Sequence, residues 1–145
     1  MYPVLYLLHG MWEKNDVWMN RGHVKDVMDC LTASGEACEM IIVCPDAGGG
    51  DPNIFQNGYF DMPGWAYETF FFTEFLPYVE KRFRVIGDKR NRAVAGLSMG
   101  GGGATCYGQR HTELFCAVYA MSALMDIPEE GAARFNDPNG KLAVL

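Results

Sequence analysis

The sequence has no run of Lys or Arg: 12 basic residues stand against 18 acidic ones, a net charge of −6 over 145 residues. Without a basic stripe to neutralise phosphates, nucleic acid and anionic membrane surfaces are excluded as partners. Long apolar runs are also missing. The N-terminal run Val4–Leu8 falls far short of the roughly 20 residues a bilayer crossing needs. It also lacks the basic flank and small-residue cleavage site of a leader. It reads as a strand, and the chain as written is expected to be soluble. The five cysteines, at 30, 38, 44, 106 and 116, are odd in number and form no Cys-x-x-Cys. That argues against a disulfide framework or a thiolate metal site. Cys44 and Cys116 lie in strand-like runs and are expected to behave as small buried hydrophobes. Histidine is scarce too: there are three, and none follows His111.

What is present is a chain about half hydrophobic, 49% by composition, enough for one sizeable core and one domain. Val4–Leu8, Met40–Cys44, Arg92–Leu97 and Phe115–Met121 are short apolar runs, as expected of strands covered on both faces. Between them, Val24, Val27, Met28 and Leu31 mark one stripe of a helix that Gly35 closes. Phe71, Phe72, Phe75, Leu76 and Val79 mark another, over about Ala66 to Arg82, which Pro77 must kink or restart. A third helix is expected from Ser98 to about Arg110. Alternating strands and helices give an α/β fold with a parallel sheet. From Pro45 to Trp65 the periodicity stops, and Phe55, Tyr59, Phe60 and Trp65 sit among Gly, Pro and Asn. Such a loop at the carboxyl end of a strand is either a ligand-facing segment or a flap whose aromatics pack down.

One stretch carries chemistry: "AGLSMGGGGA", Ala95–Ala104. A phosphate-binding P-loop needs Gly-Lys-Ser/Thr, and no lysine lies between Lys89 and Lys141. A dinucleotide fingerprint starting at Gly100 or Gly101 would need Gly or Ala where Thr105 or Cys106 stands. Gly96-Leu97-Ser98-Met99-Gly100 does fit the nucleophile elbow, a strained strand-to-helix turn that exposes a serine hydroxyl. The strand-like "RAVAGL" before it supplies the context. Gly101, Gly102 and Gly103 should each cost the following helix about 1 kcal/mol, so close packing against the strands is expected to compensate. "LYLLHG" supplies a second feature. In elbow hydrolases the loop after such a strand gives one backbone N–H of an oxyanion hole, and the residue after the nucleophile gives the other. Here these are Met11 and Met99, while His9 is expected to shape the loop.

With "YPVLYLLHGM", "MIIVCPDAGG", "YETFFFTEFLPYVEKRFRV", "RNRAVAGLSMGGGGA" and "ELFCAVYAMSALMD" in this order, the chain resembles α/β-hydrolase serine esterases of the feruloyl esterase, tributyrin esterase and esterase D group. The resemblance runs to about Asp126. It implies hydrolysis of small-molecule carboxylic esters through an acyl-serine intermediate, with Ser98 as nucleophile, Met11 and Met99 as oxyanion donors, and no metal or cofactor. The triad order in this fold is Ser, then Asp or Glu, then His, and no histidine of the chain fits as general base. His111 stands where the nucleophile helix meets the next strand, and His23 at the start of an early helix, both as structural or surface residues. Asp126 is a candidate acid at a position used by some members of the wider fold; Asp137 reads as a solvated turn residue. Residues 1–145 are therefore expected to form a partial α/β-hydrolase domain, truncated to about four central strands. Its apolar sheet edges would favour self-association. Short-chain or aromatic acyl groups suit the loop aromatics, and the acidic surface disfavours strongly anionic esters. Acyl transfer, as in the related mycolyltransferases, and a non-catalytic binding domain are the alternatives.

Overall fold

A computed structural model describes residues 1–48, 58–62 and 64–124. Asp126, Asp137 and Phe55 lie outside these residues. Among the described residues four parallel strands form the sheet, in the order β2-β1-β5-β6, with β1 at Val4–Leu8, β2 at Ile41–Val43, β5 at Arg92–Leu97 and β6 at Ala117–Met121. In register, Val4 faces Ile41 on one side and Arg92 on the other, and Ala93 faces Ala117. The helices are α1 (Val17–Asn20), α2 (Val24–Ser34), α3 (Tyr67–Phe70), α4 (Leu76–Arg82) and α5 (Met99–Arg110).

The central strands β1 and β5 are buried along most of their length, as continuous apolar runs require. Strand β6 departs from that expectation. Among the described residues it is the edge of the sheet and is exposed along Ala117–Ala120, with Tyr119 67% accessible. An apolar run reports that a strand has apolar neighbours to seek, not that both faces are covered. Cys116, just before β6, is likewise exposed, which corrects its reading as a buried hydrophobe. Cys44 is half-buried, and burial pushes its thiol up to about 11.

The stripe of α2 is only half covered: Val24, Met28 and Leu31 are intermediate and Val27 is exposed. Gly35 caps the helix at φ 77°, where only glycine sits without strain. From Tyr67 to Arg82 the chain is helical throughout, but Phe71–Phe75 is a π-helical segment and Pro77 falls in the first turn of α4. Pro77 therefore does not break the helix: its missing N–H falls where the π-helical turn passes into α4. Phe71 is fully buried against Tyr6 and Tyr107. Burial of one such ring is worth about 2–3 kcal/mol, more than the helix propensity the aromatic run gives up.

The 45–65 segment contains a small antiparallel hairpin, β3 (Asp61–Met62) with β4 (Trp65–Ala66), turned through Gly64 at φ 78°. Its aromatics pack inward: Tyr59 and Phe60 are buried, and Trp65 donates to the Gly58 carbonyl at 2.9 Å. Asp61 ties the hairpin to α3 by accepting from the Thr69 hydroxyl and, at 3.0 Å, from the Thr69 amide. The hydroxyl bond first, then the amide, hold the Asp61 carboxyl below its ordinary 3.8. A depressed carboxyl stabilises the fold above the unfolded value and loses that contribution as pH falls through the folded one. Protection of the Thr69 amide from hydrogen exchange is thus expected to weaken below about pH 3.8, and Asp61→Asn should flatten that dependence.

Candidate active site

Ser98 joins β5 to α5 at φ 54°, ψ −114°, outside both the helical and the extended regions. A non-glycine residue there costs about 1–3 kcal/mol and persists only when its surroundings hold it. They do so from three sides. The Ser98 amide donates to the Met121 carbonyl at 2.9 Å, and the Ser98 carbonyl accepts from Gly102 at 3.0 Å and from Leu124 at 3.1 Å. The turn closes only over glycine. A Cβ on Gly96 would lie 2.1 Å from the Gly100 oxygen, and one on Gly100 would lie 2.5 Å from the Leu8 oxygen and 2.6 Å from that of His9. Gly101 approaches Ala123 and Gly103 lies on the Tyr59 ring, each within 2.9 Å of a would-be Cβ. The glycines that weaken α5 thus admit it close to β1, to the chain beyond β6 and to the loop.

Ser98 is half-buried, at the N-terminus of the 12-residue α5. The amides of the first helical turn have no intrahelical acceptor, and the helix dipole favours negative charge there. Met99 is the first of these residues; its side chain is buried and packs on Gly58, whose would-be Cβ lies 3.0 Å from the Met99 sulfur. Among the described residues neither the Met99 nor the Met11 amide has a hydrogen-bond partner.

The turn that carries Met11 follows β1 and lies next to the elbow. The parallel ladder ends with Leu8 against Gly96, and beyond it a Cβ on Gly10 would lie 3.7 Å from the Leu97 oxygen. Residues Gly10–Glu13 form a turn closed by Glu13 N–H to the Gly10 oxygen at 3.3 Å. His9 fixes its orientation. Fully buried, His9 donates from Nδ1 to the Gly10 oxygen at 2.7 Å and accepts at Nε2 from the Ala47 amide at 3.0 Å. That pattern defines a neutral ring, with its one proton on Nδ1 and its Nε2 lone pair engaged. The Asp46 carboxylate, 3.7 Å from Nε2, lies beyond hydrogen-bond reach. The Gly10 carbonyl and the Met11 N–H belong to one planar peptide, so the His9 bond to the first aims the second. Tyr59 donates to the His9 carbonyl at 3.1 Å, and Tyr107 of α5 donates to the Tyr59 carbonyl at 2.6 Å. Burial raises the pKa of both phenols and keeps them as donors.

Sequence reasoning missed these supports. The clamp by Met121 and Leu124 uses backbone atoms that leave no side-chain signature, and only the presence of Tyr in the loop and helix hinted at the Tyr107–Tyr59–His9 relay. The other two histidines are elsewhere. His111 follows the far end of α5, about 20 Å along the axis from Ser98 at 1.5 Å per residue. It packs on Phe72, tilted at 32° with centroids 3.7 Å apart, and its ring nitrogens lie 3.6 Å from Glu68 and 3.7 Å from Glu113. His23 is exposed at the start of α2 without a side-chain cap bond. Among the described residues no group of three or more His, Cys, Asp or Glu side chains is placed to hold a metal ion.

Comparisons with known proteins agree on this scaffold. Residues 1–138 match the family model described as "Putative esterase". An endo-1,4-beta-xylanase/feruloyl esterase of Xylanibacter ruminicola is 35% identical over 129 residues, covering 89% of this chain and 18% of its own length. An esterase of Mycobacterium tuberculosis is 36% identical over 122 residues, 83% of this chain and 25% of that protein. Among solved structures, a ferulic acid esterase superposes with a TM-score of 0.91 at 74% identity, over 99% of this chain and 53% of that one. A ferulic acid esterase of Anaeromyces mucronatus, in complex with ferulic acid, gives 0.70 at 28% identity, over 84% and 46%. The chain thus spans about half the length of these solved structures and a quarter or less of the curated relatives. With four parallel strands, crossover helices and this match along nearly its whole length, the chain belongs to the esterase family and has the α/β-hydrolase fold.

Proposed function

We infer that this chain carries the nucleophile and oxyanion half of a carboxylic ester hydrolase. The observation that supports the reading best is Ser98 in its strained turn at the start of α5, next to Leu97, whose carbonyl oxygen would lie 3.7 Å from a Cβ on Gly10. In this reading the Ser98 hydroxyl loses its proton to a base, and its oxygen attacks the ester carbonyl carbon. The resulting alkoxide is received by the Met11 and Met99 amides. Collapse expels the alcohol, which takes up the proton, and leaves an acyl-serine that water then hydrolyses. Aromatic acyl groups are the favoured substrates, in keeping with the ferulic acid esterases the chain matches. No step calls for a metal or cofactor.

The base comes from outside these 145 residues. His9 has both ring nitrogens engaged in the fold, His111 is at the wrong end of α5, and His23 is on the outer surface of α2. Asp126 remains the candidate acid. Residues 1–145 form, in this reading, one partial hydrolase domain, with the exposed β6 edge able to support self-association.

The test is turnover of acetyl, butyryl and feruloyl esters by the purified 145-residue chain. Expected is weak hydrolysis, at most about 10³–10⁴ over water from the oxyanion site and binding, strongest with the feruloyl ester and lost in Ser98→Ala. Robust turnover would contradict the assignment of the base, and preference for long-chain lipid esters would contradict the acyl class.

A further inference from the structure

At the amino ends of β1 and β5 the chain gathers charge that the rest of it lacks. Lys81, Arg82, Arg84, Lys89 and Arg90 fall within ten residues, and all five are exposed. With Asp88 the one carboxylate among them, residues 81–90 carry +4 in a chain of net −6, so the other 135 residues carry −10. These cations are also unpaired. Arg21, Lys25, Arg92 and Arg110 each sit in an ion pair, whereas among the described residues none of the five does. The acidic neighbours are committed within the fold: Glu80 holds the buried Arg92 at 2.6 Å, and Asp88 accepts from the Asn91 amide at 3.1 Å. The backbone under the patch is fixed. Arg82 ends α4, and Lys89–Asn91 form a tight turn directly before β5. Between them, Tyr2 donates its amide to the Arg84 carbonyl at 2.7 Å and accepts from the Ile86 amide at 2.9 Å.

We propose that this patch docks a short acidic segment of a second polypeptide, one with an apolar residue among its carboxylates. The proposal does not depend on the reading of Ser98. Two of the arginines are already oriented: the Arg82 guanidinium lies 5.7 Å over the Phe83 ring and that of Arg84 5.3 Å over the Tyr2 ring. A guanidinium laid on a ring keeps its in-plane N–H fork free for a carboxylate and has less freedom to lose on binding. The apolar part of the partner has a place as well. Phe83 is 51% accessible and Tyr78 62%, and Tyr78 stands four residues before Arg82 on the same face of α4. Length is limited by the surrounding charge. Attraction reaches about 8 Å at physiological salt, so a segment of a few residues gains from the five cations alone. A long nucleic acid or an anionic membrane would extend over a remainder carrying −10 and be repelled. Ser98 follows the carboxyl end of β5, about 20 Å along the strand from Arg92 at roughly 3.3 Å per residue. A partner docked at the amino end therefore leaves the ester site open.

The experiment titrates the 145-residue chain into a fluorescein-labelled peptide, Glu-Asp-Glu-Phe-Glu-Asp-Glu, and follows anisotropy. Saturable binding is expected, weakening about tenfold between about 0.05 and about 0.3 M salt. The double variant Arg82→Glu with Lys89→Glu should lose about tenfold or more in affinity, and Arg82→Gln with Lys89→Gln, which adds no repulsion, about threefold. Lys14→Glu reverses an unpaired cation outside the patch and should stay within about twofold of the starting protein. Three results would overturn the proposal: no saturable binding at the lower salt, a loss in Lys14→Glu as large as in the double reversal, or a thymidine heptanucleotide that binds as tightly as the peptide. The first means that the cations attract too weakly to dock a partner, the second that only net charge matters, and the third that the patch takes any polyanion.

Discussion

Replacing Gly100 by alanine is expected to destabilise the protein by more than about 3 kcal/mol, at the upper end of overpacking costs. The new methyl would stand 2.5 Å from the Leu8 carbonyl oxygen and 2.6 Å from that of His9. Both are backbone atoms, one at the end of β1 and one just after it, so no rotamer change relieves the contact. Either α5 moves off β1 or the elbow opens, and both outcomes displace Ser98. Urea denaturation followed by tryptophan fluorescence measures the loss. Gly35→Ala is the control: its would-be Cβ meets nothing within 4 Å, so only the left-handed φ of 77° is penalised, at about 1 kcal/mol. Equal effects at the two positions would mean that the close approach of α5 to β1 is not what demands glycine.

His9→Ala is expected to act on stability and on the site together. It empties a fully buried position and leaves the Ala47 amide without its acceptor, a combined cost of about 2–4 kcal/mol. It also frees the Gly10–Met11 peptide, whose carbonyl loses the Nδ1 bond. Loss of one aimed oxyanion donor costs about 10²–10³ in rate, so binding of an anionic tetrahedral boronate at Ser98 should weaken about a hundredfold. His9→Asn separates the two effects, because its side-chain amide can still reach the Gly10 oxygen while offering nothing to Ala47. It should recover most of the boronate affinity and little of the stability. If both variants lose affinity alike, His9 acts on the site only through general packing.

The parts of this fold that were readable in advance are those whose physics is local. Leu8 and Val94 sit in unbroken apolar runs, and the runs became the buried centre of the sheet. The Gly96–Gly100 spacing is legible because a Cβ at either end collides with backbone. What escaped depends on distant partners. The exposure of Tyr119 reflects the edge position of β6, which its own residues do not encode. The π-helical segment at Phe71–Phe75 arises from packing several aromatics against Tyr6 and Tyr107 just before a proline. The hairpin at Asp61–Ala66 has only two residues per strand, too few for any alternation to show. At the site, His9 and Gly10 announced the turn. The relay from Tyr107 through Tyr59 to His9 joins positions 48 and 50 residues apart in the chain, and no sequence period links them.

The central claim is that one hydroxyl, held in a strained turn, faces two backbone amides able to receive an oxyanion. Its most direct test is titration of phenylboronic acid into the ¹⁵N-labelled protein, since an equilibrium adduct needs the hydroxyl and the amides but no fast proton transfer. The account predicts that the Met11 and Met99 amide resonances move downfield together, saturating at one equivalent, and that Ser98→Ala abolishes both shifts. Shifts that bypass these two amides, or that survive removal of the hydroxyl, would contradict it.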